Sequence, residues 1–233
     1  MSDKTPMDIL PRGPHDLTRE EVENSQRRRL VSSMTQVVGE KGYVKTSVAD
    51  VIQRAGVSRA TFYQLFKDKE DCFIQSFDSS NRDILAAMME AMNEHEAASL
   101  LNMREGDRMS SRVLIEQLSA VLRMYLHVLS SYPQVANTFL VEVYAAGPRA
   151  IQKRRDSLET LIRVLLARVF PFMTTSPRRE FAIRTLVHGI SSMVTMAVGT
   201  ENHGELEDLH GPIMELVSMM VRSELFAGAF EAS

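Results

Sequence analysis

Apolar residues recur at helical spacing almost throughout this chain, and that periodicity limits its fold more than any other feature. Leu158, Leu161, Ile162, Leu165, Leu166 and Val169 fall at i, i+3, i+4, i+7, i+8 and i+11, and Leu114, Leu118, Val121, Leu122, Tyr125 and Leu129 nearly repeat that pattern. No run alternates with period two, and no Asn-Gly or Asp-Gly pair marks a hairpin. Pro133, Pro148, Pro177 and Pro212 stand where new periodic segments begin. Proline fits a first helical turn because its missing N–H would have had no partner there. The pattern predicts an all-α fold of about nine helices near 18–41, 47–54, 58–65, 69–95, 111–131, 133–145, 148–169, 177–199 and 212–227. Thr18-Arg-Glu-Glu21 opens the first of these with a capping box. The segment 96–110, rich in Ser, Gly and charge, reads as a loop.

Composition narrows the function classes. With 44% hydrophobic residues in 233, the chain can bury a core. A single cysteine, Cys72, excludes an internal disulfide and a multi-thiolate zinc site. No stretch is expected to reach the ~18 apolar residues of a membrane span, and the N-terminus lacks the pattern of a signal peptide. The expected location is the cytoplasm, with no membrane partner and no cofactor. Residues 1–17, polar and proline-bearing, are expected to form a disordered arm.

Charge is unevenly spread. The formal total is −3, yet residues 25–67 carry +6 and residues 71–233 carry −5. A basic patch on an acidic protein is an electrostatic footprint for phosphate. Within it, Val48, Val51, Ile52 and Ala55 form one apolar stripe on a helix of about two turns, too short to stand alone. Gly56 permits a left-handed turn, Val57 plugs the interhelical angle, and Ser58 can cap the following helix. That second helix directs Phe62 to the core, with Phe66 just beyond it, and leaves Arg59, Ala60, Thr61, Tyr63 and Gln64 free to face outward. A helix, a glycine turn and a second short helix form a helix-turn-helix.

The run TSVADVIQRAGVSRATFYQLFKDKED, with Gly42 closing the first helix, resembles the DNA-binding signature of the tetracycline-repressor (TetR) family of regulators. The matching positions are Thr46, Val48-Ala49, Ala55-Gly56-Val57-Ser58, Thr61, Tyr63, Phe66 and Lys69. The resemblance implies a helix-turn-helix domain at 18–70 and an effector-binding and dimerisation bundle at 71–233. It implies a repressor that binds a palindromic duplex operator as a homodimer and is released by a small, hydrophobic effector. Carried over by position, Thr46, Tyr63, Lys69 and Ser58 or Thr61 would hold phosphates. Arg59 would read a guanine edge, Ala60 a thymine methyl and Gln64 a base edge. Leu65 departs from the pattern, because the family often has His or Tyr there against phosphate.

The predicted helices at 177–199 and 212–227 are apolar on more than one face, so each needs a second partner surface. In similar proteins the last two long helices build a two-fold four-helix interface. The chain has 15 methionines, and Met88, Met89, Met92, Met124, Met193 and Met196 fall on predicted inner faces. They either fill the core or line a deformable effector pocket with Leu122, Tyr125, Phe139 and Val143. Glu142, Arg163 and His188 are the candidate polar groups of such a pocket. The run Lys153-Arg154-Arg155 reads as a solvated or salt-bridged face, and Cys72 as packing.

An enzyme is disfavoured. Glu207-Asp-Leu-His210 has the spacing of a di-iron motif but occurs once, in a segment broken by Gly204, Gly211 and Pro212. No glycine-rich phosphate loop is present. The remaining alternative is a helical adaptor of the same fold that has lost operator binding.

Overall fold

The computed structural model describes residues 18–102, 111–169, 176–200, 206–223 and 225. The expected arm at 1–17 lies outside the described residues. Every regular element among the described residues is helical. Helix α1 spans Arg19–Lys41, α2 Val48–Ala55, α3 Arg59–Leu65 and α4 Lys69–Asn102. Then come α5 (Ser111–Ser131), α6 (Pro133–Ala136), α7 (Pro148–Val169), α8 (Pro177–Gly199) and α9 (His210–Val221).

Local chemistry accounts for most boundaries. Glu21 N–H donates to Thr18 Oγ1 at 3.2 Å while Thr18 N–H donates to the Glu21 carboxylate at 2.7 Å. Ser47 and Asp50 repeat this reciprocal box at the start of α2. Gly56 ends α2 with φ 64°, ψ 38°, the left-handed conformation that a side chain would strain.

Three boundaries depart from expectation. Helix α4 runs to Asn102, because Ala-Ala-Ser-Leu-Leu at 97–101 consists largely of strong helix formers. Helix α9 occupies His210–Val221 instead of 212–227, with Pro212 still inside its first turn. The segment expected as one helix over 133–145 is broken. After α6 the chain makes a wide π turn at Asn137–Val141 and a tight 3-10 turn at Glu142–Tyr144.

Two hydrophobic cores organise the molecule. The first unites α1–α3 with the start of α4 through Leu30, Met34, Val51, Phe62, Phe66 and Phe73, and it also takes in Phe139, Val143 and Ala150. The second joins α5, α8 and α9 through Leu114, Leu126, Ile183, Val194, Ile213 and Val217. Residues 133–150 therefore form the seam between the helix-turn-helix head and the bundle. Helix α1 packs on α2, α4 and α6, and α4 packs on α5 and α7.

Contrary to the expectation from sequence, α5 and α8 are each long and apolar enough on average to cross a membrane. A search for unbroken apolar runs misses them because Arg, Glu and His interrupt both. The apolar residues of α5, among them Leu114, Val121, Leu126 and Leu129, are used in the second core.

Candidate nucleic-acid interface and bundle cavity

Helix α3 is held by its buried side. Ser58 Oγ accepts the Thr61 N–H at 3.0 Å and lies 2.9 Å from the Thr61 hydroxyl, so Ser58 is the cap and Thr61 its partner. Phe62 and Phe66 are buried with ring centroids 5.5 Å apart. With that side fixed, Arg59, Ala60, Tyr63 and Gln64 are exposed together on the opposite side. The Arg59 guanidinium lies 5.7 Å from the centre of the Tyr63 ring, a contact that limits the rotamers of both. A short exposed helix carrying a forked donor, an amide and a phenol suits the major groove.

Thr46 and Lys69 stand differently from the expectation. Thr46 is buried, and its hydroxyl donates to the Gly42 carbonyl at 2.8 Å, closing the turn between α1 and α2. Lys69 Nζ donates to the carbonyls of Tyr43 and Thr46, each at 2.9 Å, and sits 3.9 Å from the centre of the Tyr43 ring. Burial pushes this ammonium below its usual pKa. Both side chains brace the turn, because its carbonyls have no helical N–H to satisfy them.

The basic window also divides. Arg54 forms a two-pronged pair with Glu40 at 2.5 and 2.6 Å, and Lys41 pairs with Asp50 at 2.7 Å. Hydrogen bonding to Arg54 holds the Glu40 carboxyl below its ordinary range, and Lys41 does the same for Asp50. Arg27 donates to the Leu65 carbonyl and Gln75, and Arg29 to the Ala55 carbonyl. Arg28, Lys45 and Lys67 are exposed without an acidic partner among the described residues. They, with Arg59, are the cations available to phosphate.

The bundle encloses two apolar chambers that share Tyr125, Leu158, Leu161 and Ser191. One, of about 100 Å³, lies among α4, α5, the π turn and α7 and is lined by Phe77, Ile84, Leu129, Phe139 and Leu140. The other, of about 110 Å³, lies among α5, α8 and α9 and is lined by Leu122, Ile183, Val187, Ile213 and Val217. Burial raises the pKa of the Tyr125 phenol, opposed by the charge of Arg154. Arg154 lies on the wall of the first chamber and also lines an outer groove of about 450 Å³ with Arg155, His188 and Thr195. Cys72 is fully buried, and burial pushes its thiol pKa up, as suits a packing residue.

Comparison with known proteins identifies the head. Residues 32–75 match the family described as "Bacterial regulatory proteins, tetR family", a stretch running from mid-α1 through the head into α4. The head matches the tetR family. The fatty acid metabolism regulator protein of Bacillus subtilis (strain 168) is 25% identical to it over 137 residues, covering 59% of this chain and 62% of that relative. The solved fatty acid degradation regulator FadR of Bacillus halodurans superposes with a TM-score of 0.65 at 19% identity, covering 85% of this chain and 97% of that one. FadR of Bacillus subtilis, solved in complex with stearoyl-CoA, gives a TM-score of 0.64 at 19% identity, with 82% and 97% covered. A transcriptional regulator from Rhodococcus sp. Rha1 gives 0.62 at 22%, with 89% and 99% covered. Each of these relatives is described as a regulator, and two of them as transcriptional regulators.

In the bundle, several residues expected in the effector pocket lie elsewhere. Leu122, Tyr125 and Phe139 line the chambers. Glu142 and Val143 do not: Glu142 accepts the Tyr43 N–H at 2.7 Å, and Val143 is buried in the head core. A continuous helix would have placed 139, 142 and 143 on one face, but the extra residue of the π turn rotates the downstream residues by about 100°. Met193 is 38% exposed, His188 opens to the outer groove 3.9 Å from Glu159, and Arg163 is exposed. The side chains of Met88 and Met92 lie outside the described residues. Glu207 accepts from Ser130 and pairs with His127, and His210 bonds Ser119, so both pin the start of α9 to α5. Among the described residues no cluster of metal-ligating side chains occurs.

Proposed function

We propose that this protein is a cytoplasmic repressor of the tetR family that binds a palindromic operator as a dimer and is released by a hydrophobic effector carrying an acyl chain. The observation that carries the DNA half is the exposed Arg59–Tyr63–Gln64 face of α3, flanked by the unpaired Lys45 and Lys67. Tyr63, Arg28, Lys45 and Lys67 would hold phosphates, Arg59 a guanine, and Ala60 and Gln64 neighbouring base edges. Ser58, Thr61, Thr46 and Lys69 support that face and would reach phosphate only through donors left over from their internal bonds.

The effector half rests on the two chambers. Their lining is apolar but for a few polar groups, as a site for a chain with one polar end requires. The stearoyl-CoA held by the Bacillus subtilis relative is such a molecule. The exposed apolar side chains of α8 and α9 supply the dimer face, since a short recognition helix gains specificity when two copies read two half-sites.

Selection of bound fragments from a random duplex pool, with affinity then measured across a salt series, tests the reading. A palindrome bound with a steep salt slope and released by an acyl compound is expected. Weak binding of equal strength to all sequences would overturn it.

A further inference from the structure

Arg154 is half-buried without an acidic partner among the described residues, whereas Arg155 beside it, also without one, is exposed to water. Arg149 pairs with Glu70, Lys153 with Asp78, and Arg184 with Glu159 and Glu180. Among the described residues Arg154 meets only neutral acceptors: Tyr144 Oη at 3.2 Å, Ser191 Oγ at 3.2 Å, Thr195 Oγ1 at 2.8 Å and the Phe139 carbonyl at 3.2 Å. A half-buried cation without a counter-ion is unfavourable, and an anion brought by a ligand would remove that penalty. The place is right for such a ligand, because Arg154 stands where the first apolar chamber meets the outer groove.

The same guanidinium holds the middle of the π turn. Phe139 lies within it, so its carbonyl is held partly by a side chain. Either end of this turn is fastened to the head. Thr138 Oγ1 donates to the Thr35 carbonyl of α1 at 3.1 Å, in a fully buried position. The Glu142 carboxylate accepts the Tyr43 N–H just past α1. One side chain therefore touches the ligand space and the segment that grips the DNA-binding head.

We propose that Arg154 receives the anionic head, carboxylate or phosphate, of an effector whose apolar tail fills the adjoining chamber, and that taking this anion draws the guanidinium off the Phe139 carbonyl and loosens the Glu142–Tyr43 latch. The inference rests on the effector reading above and adds to it the charge of the ligand and the route to the head. A π turn is suited to switching. Its conversion to α-helix removes one residue from the loop and swings Glu142 by about 100°, away from Tyr43. The element thus has two discrete registers for a ligand to bias.

The test titrates the full chain with dodecanoate, dodecanoyl-CoA, coenzyme A alone and the neutral dodecanol, reading binding by calorimetry and release of the selected operator by fluorescence anisotropy. At least one anionic chain should bind about 10-fold or more tighter than dodecanol. Which one does so separates a carboxylate head from a phosphate head. Arg154→Gln should bring that ratio near one, while Arg154→Lys restores part of it. Glu142→Ala removes the latch outright, so it should bind effector at least as tightly as the wild type, bind the operator weakly without effector, and show little further release when effector is added. By reciprocity, operator DNA should then no longer weaken effector binding. Circular dichroism melts of each variant distinguish these effects from loss of folding.

An unchanged ratio in Arg154→Gln, or wild-type operator affinity with full effector release in Glu142→Ala, overturns the proposal and leaves the effector reading standing. Preference for the anion with no release of DNA by any ligand supports the Arg154 site and overturns both the latch and the regulatory reading.

Discussion

At the residue scale, contacts that read sequence and contacts that only attract DNA should separate by experiment. Arg59 is prearranged over Tyr63, so a bidentate bond to a base would cost it little ordering. Arg59→Ala should weaken binding to the preferred operator by about 1–3 kcal/mol and relax the preference at one base pair of each half-site. Lys45→Ala and Lys67→Ala should instead weaken binding to every duplex alike, each lowering the salt slope by about one. Affinities measured across a salt series on matched and single-mismatch duplexes separate the two behaviours. Counting charges along the sequence located the basic patch but could not tell free cations from paired ones. Arg27, Arg29 and Arg54 carry the same formal charge as Lys45, yet they cap carbonyls or meet Glu40. Arg154 escaped for a related reason. In a run of three basic residues each step turns about 100° around the helix, so Lys153 reaches Asp78 at the surface while Arg154 points inward.

At the scale of the element, helix starts were legible because caps and prolines announce them, as Thr18, Ser47, Pro133, Pro148 and Pro177 do. The π turn was not, since what holds it is tertiary: Arg154 from α7 and Thr35 from α1. Two predictions belong here. Gly39 lies where α1 meets α6, and a Cβ there would stand 2.8 Å from Gln134 Cβ and 2.9 Å from the Gln134 carbonyl oxygen. One of those neighbours is backbone, so the clash must move α6. Gly39→Ala should destabilise the fold by about 1–3 kcal/mol in denaturant melts despite the better helix propensity of alanine.

The second concerns acid. Glu40 and Asp50 both have folded pKa values depressed below their ordinary 4.5 and 3.8, by Arg54 and by Lys41 with Ser47 respectively. A depressed carboxyl stabilises the folded state above its unfolded pKa and loses that contribution as pH falls through the folded value. The packing of α1 on α2 should therefore hold at neutral pH and weaken below about pH 4. Thermal melts across pH 3–7 should show a steeper acid loss for the wild type than for Asp50→Asn.

At the scale of the whole molecule, five of the nine large apolar side chains left in solvent among the described residues lie on α8 and α9. Phe181 and Met196 on α8 are 72% and 67% exposed, and Leu216 and Met219 on α9 are 47% and 59% exposed. Their helices turn other apolar residues, Ile183 and Val194, Ile213 and Val217, into the second core, so each is apolar on two sides and only one side is covered within a single chain. A homodimer of typical size covers about 800 Å² on each partner, and two amphipathic helices from each chain can supply an area of that order. Exposed apolar area of this kind drives association at about 25 cal/mol per Å² before the cost of ordering is subtracted. Phe181→Glu combined with Met219→Glu places like charges on that face without touching either core. Analytical ultracentrifugation should find the double variant monomeric while its helical circular dichroism remains that of the wild type. Because two heads on one palindrome bind with an avidity about 10²–10⁴ above a single head, operator affinity should fall by a factor in that range although every residue of α3 is intact. A double variant that stayed dimeric would place the interface on another surface. A monomer with undiminished operator affinity would show instead that one head suffices, and the palindrome would lose its physical basis.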